Sequence, residues 1–216
     1  MKRAALAMVA IAAGMILASA LHGVQAKARE KVIVAFGDSL TAGLGLPEKD
    51  SFPAQLELAL RARGQEVKVI NAGVSGDTAA AGLARLDWVM PDDASAVIVE
   101  LGANDALQGL DPAATKATLE KIVTQVQARG LPILLAGMEA PRNLGKDYVD
   151  RFRAIYADLA TRYNVVFYPF FLDGVVLDDK YMQGDGLHPN AAGVARIVDL
   201  ILPKVEELLA RVQAKD

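Results

Sequence analysis

Apolar runs rich in valine and isoleucine alternate along this chain with stretches in which apolar positions recur at helical spacing. Five runs of the first kind read as strands, at residues 32–36, 67–72, 96–101, 133–138 and 165–168. Helical patterns fill the intervals at about 53–63, 78–86, 113–129 and 148–163, and a last one runs from 191 to about 212. Asp111-Pro112 has the form of an N-cap followed by proline at the first helical position. Gly64 and Gly130 fall where glycines that close helices belong. Alternation of this kind predicts βαβ units, and so one α/β domain with a parallel sheet covered by helices on both faces. No internal repeat, low-complexity tract or long linker divides it.

The N-terminus follows a different pattern. Lys2 and Arg3 precede an uncharged apolar stretch at 4–21, and Val24-Gln25-Ala26 presents small residues where a signal peptidase reads. Residues 1–26 therefore read as a signal peptide, with 27–216 as the mature domain. A retained anchor is the competing reading, since the stretch approaches the ~20 residues that span a bilayer. Its alanine content, Gly14, Ser19 and the cleavage-like end favour removal, with no stable membrane span afterwards. The expected destination is the periplasm or the exterior.

Removal changes the charge and the chemistry available. Lys2 and Arg3 leave with no acidic residue, so 23 basic residues become 21 against 26 acidic ones, a formal charge of −5. That balance does not favour nucleic acid. The absence of cysteine excludes disulfides, thiolate zinc sites and a cysteine nucleophile. His22 also leaves, so His188 becomes the one imidazole, and a resident metal is not expected.

The residues with chemical potential collect after the strands. Gly37-Asp38-Ser39-Leu40 follows the first, Asn71-Ala72-Gly73 closes the second, and Gly102-Ala103-Asn104-Asp105 follows the third. Met138-Glu139-Ala140-Pro141 follows the fourth, and Asp185-Gly186-Leu187-His188-Pro189 precedes the last helix. Ligand sites of open α/β sheets lie outside the carboxyl ends of the strands. A serine hydroxyl needs a base to take its proton, and the base needs a third group to hold its tautomer. Ser39, His188 and Asp185 fill those roles, with Gly184 and Gly186 permitting the turn between carboxylate and imidazole. The N–H groups of Ser39 and Gly73 and the side-chain amide of Asn104 are candidate oxyanion donors. Taken singly, each motif also reads as a turn, a cap or a surface histidine; jointly and in order, they read as a serine hydrolase.

These residues resemble the SGNH, or GDSL, hydrolase superfamily, whose four named positions would be Ser39, Gly73, Asn104 and His188. Residues 71–78, 82–86, 99–105, 169–171 and 182–190 extend the resemblance toward its bacterial periplasmic thioesterase and lysophospholipase branch. The resemblance implies a flavodoxin-like sandwich with strand order 2-1-3-4-5, a Ser-His-Asp acyl-enzyme mechanism and no cofactor. It also implies thioester, aryl ester and lysophospholipid substrates. Ala103 departs from the family, which usually has a second glycine there. Met138, Pro141 and Leu144, in the loop after the fourth strand, are candidate acyl contacts, and a plain packing role fits Met138 equally well. Trp88, Tyr181 and Met182 are expected to pack or to anchor loops, and Glu139 is not needed as a base. An acetylesterase of sugars or cell-wall glycans would use the same catalytic set. A non-catalytic lipid- or glycan-binding protein would be expected to have lost a triad member, and none is lost.

Overall fold

A computed structural model describes residues 30–212; the expected signal peptide lies outside the described residues. Five strands, β1 (Lys31–Gly37), β2 (Val67–Gly73), β3 (Ala94–Glu100), β4 (Ile133–Ala136) and β5 (Val166–Tyr168), form one parallel sheet. Its order is β2-β1-β3-β4-β5, the order the resemblance implied. Residues 32–37 of the central β1 are all buried, in keeping with a strand covered on both faces.

Among the described residues seven α-helices surround the sheet: α1 (Ser39–Ala42), α2 (Phe52–Ala62), α3 (Ala79–Val89), α4 (Ala103–Leu107), α5 (Pro112–Ala128), α6 (Lys146–Tyr163) and α7 (Ala191–Ala210). α2 packs on α7, while α5 lies between α3 and α6, so two helical layers enclose the strands. The caps follow the local chemistry. Asp111 accepts from the N–H of Ala113 ahead of Pro112, Asn190 from Gly193, and Thr78 from Ala81. Gly64 and Gly130 follow α2 and α5 with φ of +78° and +71°. Among the described residues, no helix is long and apolar enough to cross a membrane.

Several boundaries differ from the sequence pattern, and two short helices add to it. β3 starts two residues early, at Ala94, where Ser95 Oγ accepts from the N–H of Val32 beside a register shift. β4 stops at Ala136, although the Gly137 N–H still donates to Tyr168 O at 2.8 Å. α1 and α4 are helices of four and five residues that start within three residues of a strand end. Elements so short present no 3.6-residue stripe, so periodicity does not reveal them.

Candidate active site

β1 ends at Gly37, and the chain turns at once into α1, placing Ser39 at its first position. The turn is tight because a Cβ on Gly37 would lie 2.1 Å from Thr41 Oγ1 and 2.5 Å from the carbonyl of Glu100. Asp38 caps α1 by accepting from the N–H of Leu40 at 3.0 Å. From the loop before α7, His188 Nε2 approaches Ser39 Oγ to 2.8 Å, and Asp185 Oδ2 lies 2.6 Å from His188 Nδ1. An ionised carboxylate only accepts, so Nδ1 carries the proton and Nε2 accepts from the Ser39 hydroxyl.

Local bonding fixes that loop. Asp185 Oδ1 accepts from the N–H groups of Leu187 and His188 at 2.9 and 3.0 Å, while Gly186 takes φ +67°. Gly184 has no positive φ, so only one of the two glycines provides the turn. The bond from the His188 ring, with those from the two backbone amides, holds the Asp185 carboxyl well below the usual carboxylate range. Gln183 ties this loop to the serine loop, donating from Nε2 to Leu44 O at 2.8 Å and to Pro189 O at 2.9 Å.

The three expected oxyanion donors lie beside α1 but are not equally open. Gly73 packs flat on α1, since a Cβ there would lie 2.3 Å from the Ala42 nitrogen. Its N–H donates to Asn71 Oδ1 at 3.1 Å, and Asn71 Nδ2 donates to Ala42 O. Asn104 Nδ2 donates to Asp77 O at 2.9 Å and to Asp38 Oδ2 at 3.2 Å. The Ser39 N–H, at the first helical position, has no acceptor within its own helix.

Two carboxyls lie buried beneath the serine. Glu100, at the end of β3, accepts from the Thr41 hydroxyl at 2.7 Å through Oε2, while its Oε1 has no partner. Burial pushes its pKa well above the ordinary value, reinforced by the charge of Asp38. Burial likewise raises Asp38 to about 6, against the bond from Leu40 N–H and the attraction of His188.

The family model for GDSL-like lipase/acylhydrolase proteins matches residues 35–196. The chain belongs to that family. It is 36% identical over 184 residues to esterase TesA of Pseudomonas aeruginosa, covering 85% of this chain and 92% of that protein. The arylesterase of Vibrio mimicus is 39% identical over 176 residues, covering 81% and 88%. The crystal structure of AlinE4, an SGNH-hydrolase family esterase, superposes with a TM-score of 0.71 at 47% identity, covering 85% and 98%. The chain is thus an acyl ester hydrolase.

Other expected contacts of this GDSL hydrolase divide by burial. Met138 is only 2% exposed and packs in the core, the alternative to an acyl contact that its place after β4 allowed. Pro141 and Leu144 are half-buried in the loop beyond, and Leu144 Cδ2 lies 4.0 Å from where a Cβ of Gly109 would be. Glu139 pairs with Arg153. Tyr181 and Met182 anchor the histidine loop, through the Tyr181 carbonyl on Asn190 N–H and the Met182 bridge to Pro189. Trp88 does not pack as expected. It is 90% exposed, near the end of α3 remote from the serine. Leu44, Val74, Leu107, Leu110 and Leu187 are exposed apolar residues on the segments that carry the site, Leu107 at the end of α4 and the others in loops. The Leu44 N–H donates to Ser39 O at 3.1 Å, and Leu187 adjoins His188. Asp38, Asn71, Arg85 and Gln183 are among the polar groups here to which sequence reasoning assigned no role.

Proposed function

We propose that the protein is an exported serine hydrolase that cleaves acyl esters and thioesters, including lysophospholipids, through an acyl-Ser39 intermediate. The observation that carries this is the unbroken relay from Ser39 Oγ through His188 to Asp185, at 2.8 and 2.6 Å. His188 Nε2 takes the hydroxyl proton as Ser39 Oγ bonds to the substrate carbonyl carbon. The same proton passes to the departing alkoxide or thiolate as its bond to carbon breaks. Water, deprotonated by His188, then releases the acid and restores Ser39. Asp185 holds the imidazole tautomer and stabilises the imidazolium, and the cycle calls for no cofactor or metal.

The developing oxyanion is received by the N–H groups of Ser39 and Gly73 and by the Asn104 amide. Gly73 and Asn104 exchange resting acceptors for it, since bonds to an ionised oxygen are roughly twice as strong as neutral ones. The exposed leucines and Val74 around the serine favour acyl chains longer than acetyl over acetylated glycans. The basic and apolar N-terminal pattern supports export to the periplasm, where lysophospholipids and free esters are present and coenzyme A thioesters are not.

The test is an activity series on p-nitrophenyl esters from acetate to dodecanoate, with lysophospholipid and acetylated sugar alongside. Rates should rise beyond acetate and vanish in Ser39→Ala. Near-parental activity in Ser39→Ala overturns the mechanism, and activity confined to acetylated sugars replaces the lipid reading with the acetylesterase one.

A further inference from the structure

The oxyanion site depends on the ends of β1 and β2 and on the Asp77 segment that holds Asn104, and one side chain bonds to all three. Arg85, on α3, donates from Nε to Asp77 Oδ2 at 2.6 Å, from one terminal nitrogen to Ala72 O at 2.9 Å, and from the other to Gly37 O at 2.9 Å. Its guanidinium carbon stands 4.5 Å above the centroid of the Phe36 ring, and the side chain is mostly buried. The carbonyls it holds are the last or next-to-last of β1 and β2.

We propose that Arg85 is the positioning residue of the oxyanion site, acting on all of its proposed donors without touching substrate. The Ala72 carbonyl and the Gly73 N–H belong to one peptide unit. Because that unit is planar and trans, a bond to the oxygen fixes where the N–H points. It also polarises the unit, making the N–H a stronger donor. The Gly37 carbonyl belongs to the peptide that leads into α1 and Ser39, and it is shared with the N–H of Val74 just beyond Gly73. The Asp77 carboxylate, held by Arg85, fixes the residue whose carbonyl receives Asn104 Nδ2 at 2.9 Å. An ion pair serving packing alone would need only Asp77; here two of the three bonds go to backbone beside the site. The planar fork suits this task, whereas a lysine ammonium is a compact charge that cannot span the three acceptors.

This inference rests on the assignment of Ser39, Gly73 and Asn104 given above, so Ser39→Ala is measured in parallel. The variants are Arg85→Lys, which keeps the charge over Phe36, and Arg85→Gln, which keeps one donor group; circular dichroism establishes that each is folded. Removal of one oxyanion donor lowers kcat by roughly 10²–10³, so partial misorientation should lower it by about 10- to 100-fold. KM should stay within about threefold, because the lost interaction is one made in the transition state. The acid limb of the kcat/KM profile should keep its midpoint, since the Ser39–His188–Asp185 relay is untouched. A folded variant with kcat within about threefold of the parent overturns the proposal, as does a rise in KM alone or a displaced acid limb. If Ser39→Ala is itself active, the reading of the site fails; if it is inactive while a folded Arg85→Lys is fully active, only this inference fails.

Discussion

Replacing Asp38 with Asn should change how stability depends on pH in a direction opposite to ordinary surface carboxylates. Asp38 is completely buried, and its pKa rises from 3.8 to about 6. Between those values the folded state binds more protons at this site than the unfolded chain does, so stability falls as pH rises through the window. Below 3.8 both states are protonated and the group contributes nothing; above about 6 the full deficit persists. A shift of about 2 pH units at about 1.4 kcal/mol each makes the deficit about 3 kcal/mol at neutral pH. Asparagine has no such titration, and losing the Asp38 charge also relieves Glu100, whose pKa that charge helps to raise. Asp185 acts in a separate window: its lowered pKa supplies stability above its unfolded value that is lost as pH falls below about 4. Urea unfolding from pH 4 to 7, followed by circular dichroism, measures the difference; the sole tryptophan, Trp88, is already exposed and would report poorly. The variant should gain about 2 kcal/mol on the parent between pH 4 and 7, because part of the deficit is already present at pH 4. A difference that is constant across that range, or that moves in the parent's favour, refutes the reasoning.

Gly73→Ala would place its Cβ 2.3 Å from the Ala42 nitrogen and 2.8 Å from the Asp38 carbonyl, so α1 must move. Steady-state hydrolysis should fall by at least about 100-fold, and thermal unfolding should show a lower midpoint. Asp185→Asn removes the acceptor that fixes the His188 tautomer, and kcat should fall by about 10³. That is less than the ~10⁴ known for a buried triad aspartate, because water reaches this one. The same variant should lose the acid-side stability that Asp185 supplies, which thermal melts between pH 3 and 5 would detect.

Much of the site was legible because its chemistry demands few residue types. With the expected signal peptide set aside, one imidazole remained, so the proposed base had no competitor, and a carboxylate three residues before it could reach Nδ1 through a turn at Gly186. Strands and long helices were legible because burial on one face or two leaves a period in the residues themselves. α1 and α4 were not, being too short for any period, and Trp88 was misjudged because apolar character does not say which side of a surface a residue occupies.

What the sequence determined by itself was the alternation of strands and helices, the caps that bound them, and the candidates for nucleophile, base and orienting acid. These depend on groups within a turn or two of one another, or on residue types that chemistry makes irreplaceable. The tertiary structure alone decided the rest: the burial that lifts the Asp38 and Glu100 carboxyls, the resting acceptors of the Gly73 and Asn104 amides, and the grip of Arg85 on the ends of two strands. The Arg85 bond to Gly37 spans 48 positions and crosses between elements that meet only when β1 pairs with β2. Hydrogen bonds and desolvation act over a few ångströms of space, and distance along a chain does not state which groups folding brings that close.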